Sequence, residues 1–565
     1  MPSFLQSPGV ESLEKDASAI TVGSSSTVGG HVGAFKWGPV MAPMLISNED
    51  DLVRNFGKPD DQTFRAFFAT SNFLSYTSAC WVVRPQTNNL NAVSTGTALQ
   101  IPNVDVYEEA FDAGQASVGP FAARYPGTMG NSILVSMADF ATFTNWPYKG
   151  QFQSAPGTSD FAATKGGSND ELHIIVIDAG GLFTGTPGAI LEKFSYVSKA
   201  NDSISFEGLS NYYANVLRNQ SSFVYWMDHP TTVVNWGTTA IGKSFSILVD
   251  TVTPVYDFTF LLNGGTDDNV PTESKLQLGW DLFKNVELYD ISLFFLGNAT
   301  TSLSKYVADN VADTRLDAVV FCTAVTPTGG PIFGNSATKL ADATTYKTAM
   351  GNSSYVVHDQ TYKYMYDKYN DKYRWIAMNA DTAGLAAKVD NTHDTWISPA
   401  GYTRGQIKGA IKLSWNPSKP ERDELYKLAI NPIVSFKGDG TMLFGDKTGT
   451  LKPSAFDRIN VRRLFLVLEK SINRSAKYQL FEQNDDITRL AFVASVEPFL
   501  RGVQGRRGIE EFKVICDESN NTKQVRASNE FRGTILIRPV YSINFIKLTF
   551  TAVGPNVSFE VAAGV

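Results

Sequence analysis

The sequence between about residues 105 and 350 alternates short apolar segments with segments of helical periodicity. Strands are predicted at 173–177, 258–262, 291–295 and 319–323, and helices at 206–217 and 275–285. Because a strand-forming segment and an amphipathic helix each bury one face against a partner, this alternation favours a layered α/β arrangement. The polar runs 86–104 and 329–354 flank the alternating region and place compositional breaks near residues 86 and 350.

The chain before the first break predicts two helices and a strand. Asn48 or Ser47 can cap a helix that Gly57 terminates, and apolar spacing predicts a second helix over 62–76. The three residues 81–83 have the composition of a buried strand. A short compact α/β pattern therefore precedes the alternating region.

The N-terminus has the pattern of an extended arm. Pro8 and Gly9 exclude a helix, Ile20 and Val22 offer a short β segment, and residues 23–30 form a Gly/Ser-rich stretch with the composition of a hinge. Such a segment cannot bury itself. It must lie on its own body or on a neighbouring molecule.

The last third of the chain predicts three helices, two strands and a second arm. The helices are expected at 402–415, 420–430 and 457–473. Apolar residues recur with a period of two at Phe512, Val514 and Cys516, and again at Ile546, Leu548 and Phe550. Residues 552–565 resemble a free arm.

The segment 457–474 is basic within an acidic protein. The formal net charge of −7 argues against nucleic-acid binding through a generally basic surface. Asp457 can cap a helix that carries Arg458, Arg462 and Arg463. These arginines are either solvated side chains of a surface helix or an electrostatic docking surface for an acidic partner.

The sequence carries no recognisable catalytic, cofactor or metal motif. Residues 440–448 approach a phosphate loop, but the extra acidic residue Asp446 would repel a phosphate, so a hairpin is expected. Residues 264–269 lack the distal glutamate of a calcium loop and predict a surface turn. We predict that the protein is not an enzyme; a hydrolase using the α/β region is the alternative of another class.

The three cysteines and the length of the apolar runs indicate whether a protein forms disulfides, is exported or spans a membrane. Cys80, Cys322 and Cys516 are widely spaced and odd in number, so we expect three buried free thiols. The N-terminus does not have the features of a secretory signal, and no run of about 18 apolar residues occurs. Direct insertion into a membrane is therefore not expected.

Several long motifs follow one another in a recognisable order. They are Ser7-Pro8-Gly9-Val10-Glu11, Phe35-Lys36-Trp37-Gly38-Pro39, Tyr366-Asp367-Lys368-Tyr369-Asn370-Asp371, Trp396-Ile397-Ser398-Pro399-Ala400-Gly401-Tyr402 and Phe456-Asp457-Arg458-Ile459-Asn460 with Val461-Arg462-Arg463-Leu464-Phe465. With these motifs the chain resembles the tail sheath proteins of T-even-type contractile phages. The resemblance implies an additional outer domain in larger relatives, where only 86–104 stands here.

The resemblance implies a multidomain α+β fold. A core α/β-layer domain is built from both chain ends, an α/β domain is inserted between them and faces outward, and terminal arms add strands to neighbouring subunits. The expected boundaries are an N-terminal arm at 1–22, the core domain at 23–88 and 351–533, the inserted domain at 89–350, and a C-terminal strand and arm at 534–565. The expected inter-subunit strands contain Pro8, Gly9, Val10, Ile20, Val22, Ile546, Leu548 and Phe550.

The resemblance also implies a function. A sheath subunit of this kind polymerises helically around a tail tube and contracts without nucleotide hydrolysis to drive the tube through the host envelope. Its expected partners are itself, the tail tube, the baseplate and the tail terminator, with no cofactor and no nucleic acid. The expected location is the virion tail, after assembly in the host cytoplasm. The sheath of a related injection machine, a tailocin or a secretion system, is the alternative.

Overall fold

The structure is a computed structural model that describes residues 27–230, 233–248 and 258–544. The predicted arm residues Pro8, Gly9, Val10, Ile20, Val22, Ile546, Leu548 and Phe550 lie outside the described residues. The described residues fall into two compact units. The large unit comprises 27–392 and 399–457, and the C-terminal unit comprises 393–398 and 458–544. Helices and strands are mixed in both units, which confirms the predicted α+β class.

The large unit contains most of the helices and strands. Up to residue 262 they are β1 (Gly29–Val32), β2 (Met44–Ile46), α1 (Glu49–Phe56), α2 (Phe64–Leu74), β3 (Cys80–Val83), α3 (Val104–Ala110), β4 (Phe121–Ala123), β5 (Ile133–Ala138), α4 (Asp160–Thr164), β6 (Glu171–Asp178), β7 (Ala189–Ser198), α5 (Tyr213–Gln220), β8 (Val224–Trp226) and β9 (Phe258–Leu261). Beyond that point they are α6 (Glu273–Asp281), β10 (Leu293–Phe295), α7 (Thr301–Val307), α8 (Asp313–Arg315), β11 (Val319–Thr323), α9 (Ser336–Met350), β12 (Val356–Asp359), β13 (Tyr362–Asp367), β14 (Lys372–Ala377), α10 (Asn379–Thr392), β15 (Lys412–Leu413), α11 (Lys419–Lys427), β16 (Ile433–Phe436) and β17 (Gly440–Leu443).

A six-stranded sheet forms the centre of the large unit. Its strand order is β12-β11-β10-β1-β3-β2, and β2 alone runs antiparallel to its neighbour. In the middle of the sheet, Gly29 pairs with Leu293 on one side and with Cys80 on the other. Strands from residues 29–83 and from 293–359 therefore share one hydrophobic core.

This pairing differs from the predicted boundary of the inserted domain. Strands β10 and β11 lie inside the predicted insertion 89–350, yet they pair with the core strands. The two ends of the segment 90–266 lie together, because Leu90 pairs with Thr266 and Val93 pairs with Asn263. The polar run 329–354 is no boundary either, since it contains helix α9.

Gly29 and Gly30 were expected to belong to a hinge, and this prediction was wrong. Both residues are buried in β1. A Cβ atom on Gly29 would lie 2.3 Å from the ring of Phe73 in α2, and one on Gly30 would lie 2.6 Å from the ring of Phe294. Successive residues of a strand face opposite sides of the sheet. The two glycines therefore allow close packing on both faces.

The segment 90–266 contains a separate antiparallel sheet. Its strand order is β7-β6-β5-β9, and a separate pair is formed by β4 and β8. Strand β6 lies inside the sheet and is almost wholly buried, which confirms the strand predicted at 173–177. A distinct hydrophobic cluster, including Ile174 and Val176, fills this part of the unit.

Two predicted helices were misplaced. The helix expected at 206–217 is found as α5, and Phe206 lies fully exposed in the loop before it. The helix expected at 402–415 is wrong. Residues of that segment bond to neighbouring strands, with Ile411 donating to Tyr364 and Ile407 donating to Thr441. These bonds to strands replace the internal bonds of a helix.

The C-terminal unit is a helical hairpin with a β-ribbon. Its elements are α12 (Ile459–Lys477), α13 (Asp486–Gly505), β18 (Ile509–Ile515), α14 (Lys523–Ala527) and β19 (Thr534–Pro539). The apolar side of α12, with Leu464, Leu468 and Ile472, packs in one cluster with α13. The cap differs from prediction, because Arg458 and not Asp457 precedes the first helical residue.

A short segment before residue 399 completes the C-terminal unit. Trp396 packs in its core, and the indole N–H donates to the carbonyl of Arg506 at 3.0 Å. The guanidinium of Arg506 stacks over the same indole at 4.8 Å and pairs with Asp394 at 2.6 Å. Gly508 allows the chain to pass close to the indole ring, since a Cβ there would lie 3.0 Å from it.

Candidate assembly site

The β-ribbon of the C-terminal unit has one apolar face and one solvent face. Strands β18 and β19 pair antiparallel, with Phe512 opposite Ile537 and Val514 opposite Ile535. These four side chains pack against the core cluster that contains α13. The alternate residues Lys513, Leu536 and Arg538 are exposed. The period of two that predicted a strand through Phe512 and Val514 is confirmed.

The outer edges of this ribbon are open within the part of the chain that the structure describes. Each of its two strands is hydrogen-bonded to the other, and no third described strand joins them. A lone two-stranded sheet is only marginally stable, and an edge strand presents unpaired N–H and C=O groups. The ribbon can therefore accept further strands while α13 holds its apolar face.

Part of the predicted C-terminal strand and arm lies in this ribbon. The range 534–565 begins with β19, which pairs within the same chain. Residues beyond 544, including the predicted strand at Ile546, Leu548 and Phe550, lie outside the described residues. The prediction that arms join strands of neighbouring subunits stays a prediction.

The exposed basic residues of helix α12 are not the three arginines that were predicted to face a partner. Arg462 and Arg463 are 5% and 2% exposed, and Arg458 is half-buried. The exposed basic residues of α12 are Arg474 and Lys477, in its last turn. A cation at the C-terminal end of a helix is favourably placed against the helix dipole. Contact between the three predicted arginines and a tube remains a prediction.

The near-match to a phosphate loop is a hairpin, as predicted. Strands β16 and β17 pair antiparallel from Ile433–Leu443 to Phe436–Gly440. After the hairpin, Asp446 is buried and accepts a hydrogen bond from the hydroxyl of Tyr426 at 3.2 Å. The ammonium of Lys447 donates to the carbonyl of Tyr426 at 2.8 Å. Both charged side chains therefore have structural partners.

The acidic turn at 264–269 is also stabilised by hydrogen bonds from other residues of the same chain. Asp267 accepts hydrogen bonds from the backbone N–H and the hydroxyl of Thr128, and Asp268 accepts two from Asn88. Among the described residues, no group of three or more His, Cys, Asp or Glu side chains is placed to bind a metal ion. The turn therefore has a structural explanation.

The cysteines match their predicted state. Cys80, Cys322 and Cys516 are free and buried, and burial raises the pKa of each thiol. A thiol whose pKa is raised is a poor nucleophile at neutral pH. The described helices do not include one with the length and apolar character needed to cross a membrane.

Sequence comparison shows what this chain is similar to. The phage tail sheath protein central domain matches residues 270–449, and the phage tail sheath C-terminal domain matches 451–552. The tail sheath protein of Salmonella phage ViI is 32% identical over all of this chain and 98% of that protein. The chain belongs to the tail sheath protein family.

Two further similarities support the assignment of this tail sheath protein. The tail sheath protein of Enterobacteria phage T4 is 29% identical over 99% of each chain, which confirms the recognised resemblance to T-even-type sheaths. That alignment spans 692 positions, more than the 565 residues of this chain, so the relative contains insertions. The helical sheath of the anti-feeding prophage in the contracted state shares the fold, with a TM-score of 0.50 and 12% identity over 97% of this chain and 99% of that chain.

Proposed function

We propose that this tail sheath protein polymerises helically around a tail tube and contracts without nucleotide hydrolysis to drive the tube through the host envelope. The observation that supports the polymer most directly is the β18–β19 ribbon, whose described edges are open while its apolar face is covered. Strands contributed by the terminal arms of neighbouring copies would complete this ribbon into a larger sheet. Repetition of one such link along a screw axis generates a helix.

The energy of one link is modest. An added strand of about six residues forms several backbone hydrogen bonds, each contributing roughly 1 kcal/mol net. Apolar arm residues such as Ile546 and Leu548 add about 1.5–3 kcal/mol each where they are fully buried. Ordering the arm costs roughly 1–2 kcal/mol per residue, which offsets most of this gain. Many parallel links therefore provide the strength of the polymer.

In this proposal the free energy of contraction comes from the packing of subunits in the lattice and not from nucleotide hydrolysis. The extended arrangement is a trapped packing of higher free energy, held by contacts to the tube and released from the baseplate. Rigid units rotate while the arm strands keep successive subunits joined. The partners are further copies of the chain, the tail tube, the baseplate and the tail terminator. The protein is a non-enzymatic virion component that assembles in the host cytoplasm.

The same polymer would serve the alternative, a tailocin or a secretion machine. The sheath complex of an extracellular contractile injection system in the contracted state has a similar fold, with a TM-score of 0.50 and 12% identity, and this similarity supports the alternative. The two functions differ in payload and not in the chemistry of the subunit. Genes for a capsid and a portal beside the gene of this protein would support the phage tail, and their absence would support the alternative.

Deletion of residues 1–20 tests the arm model. We expect soluble subunits with the melting temperature of the full chain that no longer form contractile sheaths in negative-stain microscopy. A finer variant, Ile20→Ser with Val22→Ser, keeps the arm length but removes its apolar β residues and should have the same effect. Thr21→Ser is the matched control and should assemble normally. Contractile sheaths of normal appearance from the deletion would contradict the model.

A further inference from the structure

One face of the three-stranded sheet β14-β13-β15 is covered with aromatic side chains that the proposed assembly does not use. The opposite face packs on α2, where the Arg374 guanidinium lies over the ring of Phe64 at 4.4 Å. Because successive residues of a strand face opposite sides of a sheet, the alternate residues of β13 and β14 point away from α2. These residues are Tyr364, Tyr366, Tyr373 and Trp375.

The rings on this face form a continuous row. Phe333, in the loop before α9, joins the four strand residues, and the centroids of neighbouring rings are between 4.8 and 5.3 Å apart. The aromatic row consists, in spatial order, of Phe333, Trp375, Tyr364, Tyr373 and Tyr366. The side chain of Tyr373 is 54% exposed, and those of Phe333 and Tyr366 are each 46% exposed. Because aromatic residues are enriched where proteins bind one another, this face has the composition of an interaction surface.

One cation lies over the aromatic row. The ammonium of Lys412 in β15 is 4.5 Å from the ring centroid of Tyr364 and 5.6 Å from that of Trp375. Lys412 is exposed, and none of the carboxylates in the described part of the chain forms an ion pair with it. Complementary charge favours the correct partner of an interface and disfavours others. The partner of this face should therefore carry apolar side chains beside an acidic group.

A surface with this chemistry lies in the loop before β10, which we call the acidic loop (residues 285–288). Val286, Glu287 and Leu288 are exposed, and Leu288 is 68% exposed. The side-chain oxygen of Asn285 accepts the backbone N–H groups of Glu287 at 3.0 Å and of Leu288 at 3.3 Å, which fixes the turn. Within the residues that the structure describes, the Glu287 carboxylate has no cationic partner. Two apolar side chains therefore flank a carboxylate that is available to a partner.

The aromatic row and the acidic loop lie at opposite ends of the parallel strands β10, β11 and β12. The acidic loop precedes β10 and so lies at the N-terminal end of these strands. The aromatic row lies at their C-terminal end, because β13 begins just after β12 ends and Asn298, which follows β10, accepts the N–H of Ala377 in β14 at 3.1 Å. Complementary surfaces at opposite ends of a subunit can join successive copies head to tail, and such heterologous contacts generate open helical polymers.

We propose that the aromatic row of one subunit binds the acidic loop of a second copy of this chain. In this contact Val286 and Leu288 pack against the rings, and the Glu287 carboxylate pairs with the ammonium of Lys412 of the other copy. The inference rests on the proposed helical polymer, and it adds a contact between large units that is separate from the exchanged arm strands. A contact of this size is weak between two free subunits and becomes effective when it is repeated along a polymer.

Photo-cross-linking of the assembled full chain tests the contact. The photoreactive amino acid p-benzoylphenylalanine in place of Tyr373 keeps an aromatic ring in the aromatic row. Irradiated polymers should give covalent dimers on denaturing gels, and a tryptic digest should contain position 373 joined to peptide 285–305, which includes the acidic loop. Irradiation below the concentration needed for assembly should give no dimers. Polymers without a cross-link to 285–305 would overturn the proposal, and so would a cross-link to peptide 200–218, which carries the fully exposed Phe206.

Exchange of charge between the two surfaces tests the ion pair. Lys412→Glu and Glu287→Lys should each raise the protein concentration needed for polymer formation about tenfold, because each brings like charges together. The variant with both substitutions restores opposite charges and should assemble close to the concentration of the original protein. Absence of this recovery would overturn the pairing. The photo-cross-link needs no charge variant, so it decides the proposal even where one of these variants fails to fold.

Microscopy of the same samples separates failure of this contact from failure of the proposed function. Negative-stain images of the unaltered protein show whether a helical polymer forms. A polymer that gives no cross-link between the aromatic row and the acidic loop contradicts only the contact between large units. Absence of any polymer contradicts the proposed function, and the contact that rests on it falls as well.

Discussion

At the scale of single residues, Gly29 and Gly30 determine how closely the central strand β1 packs in its sheet. Aromatic rings lie against both faces of the strand, with Phe73 at Gly29 and Phe294 at Gly30. Each ring occupies the space in which a side chain on the glycine would lie. A larger residue at either position therefore requires the ring or the strand to move.

We predict that Gly29→Ala destabilises the large unit. The added Cβ would lie 2.3 Å from Phe73 Cε1, so the ring or the strand must move. Overpacking of this kind costs about 1–3 kcal/mol of unfolding free energy. Gly502→Ala is the matched control, because Gly502 lies in helix α13 with nothing within 4 Å of its Cβ position. Thermal unfolding should show a lower melting temperature for the first variant and an unchanged or higher one for the control; equal melting temperatures would contradict the packing argument.

His31 should make stability depend on pH. Burial lowers the pKa of this histidine from 6.5 to about 4, although a hydrogen bond with the carbonyl of Phe295 opposes the shift. The unfolded chain binds a proton below the ordinary pKa of 6.5, whereas the folded chain does so only near pH 4. The contribution is therefore complete above the unfolded value and is lost as pH falls through this window.

The expected loss can be measured by difference. At about pH 5 the His31 contribution should have fallen by about 2 kcal/mol. Urea unfolding of the original protein and of His31→Gln at pH 7 and at pH 5 isolates this part. His358 is also buried with a lowered pKa, and its effect cancels because both proteins contain it. An identical pH dependence in the two proteins would show that His31 is not the titrating group.

At the scale of elements, the sequence predicted those helices and strands that interactions between neighbouring residues determine. Helix α1 was predicted with its cap, because Asn48 accepts the N–H of Asp51 and Gly57 follows the last turn. The strand through Phe512 and Val514 followed from its alternation. The helix prediction at 402–415 was wrong because backbone groups of this segment bond to strands remote in sequence. Such bonds leave no periodic pattern of apolar residues in the segment itself.

The segment 393–398 is another element whose role the sequence did not show. Its motif was recognised, but not its docking in the C-terminal unit. We predict that Trp396→Ala costs about 3–5 kcal/mol, the range for an aromatic side chain removed from a core. Amide hydrogen exchange should accelerate in α13 and β18. Trp375→Ala, on the half-exposed face of β14 in the large unit, should leave exchange in these two elements unchanged, and faster exchange there in both variants would contradict the argument.

At the scale of the whole molecule, the sequence predicted the class and the family but not the pairing of distant strands. The break placed near residue 350 followed a polar run that turned out to be helix α9. The composition of a segment indicates its exposure to solvent, and a surface helix and a linker are equally polar. Composition therefore could not distinguish this helix from a linker. That β10 and β11 pair beside β1 depends on contacts across more than two hundred residues, which only the structure provides.

The tube contact must be tested at the exposed end of α12. Charge reversal of Arg462 and Arg463 would bury new carboxylates and damage the fold, so it cannot isolate a contact. We predict that Arg474→Glu with Lys477→Glu weakens assembly on tail tubes but leaves the melting temperature within about 1 °C, because surface charges contribute little to stability. Lys437→Glu, in the hairpin of the large unit, is the control. Normal co-sedimentation of the double variant with tubes would refute the role of this end.

The proposed function requires that subunits exchange strands. A cryo-electron microscopy reconstruction of the assembled polymer, at a resolution that traces the backbone, would show whether they do. We predict that the ribbon of β18 and β19 in each subunit carries additional strands whose density connects to the termini of adjacent copies. Ribbons that remain two-stranded, or that are completed by the termini of their own chain, would contradict the account.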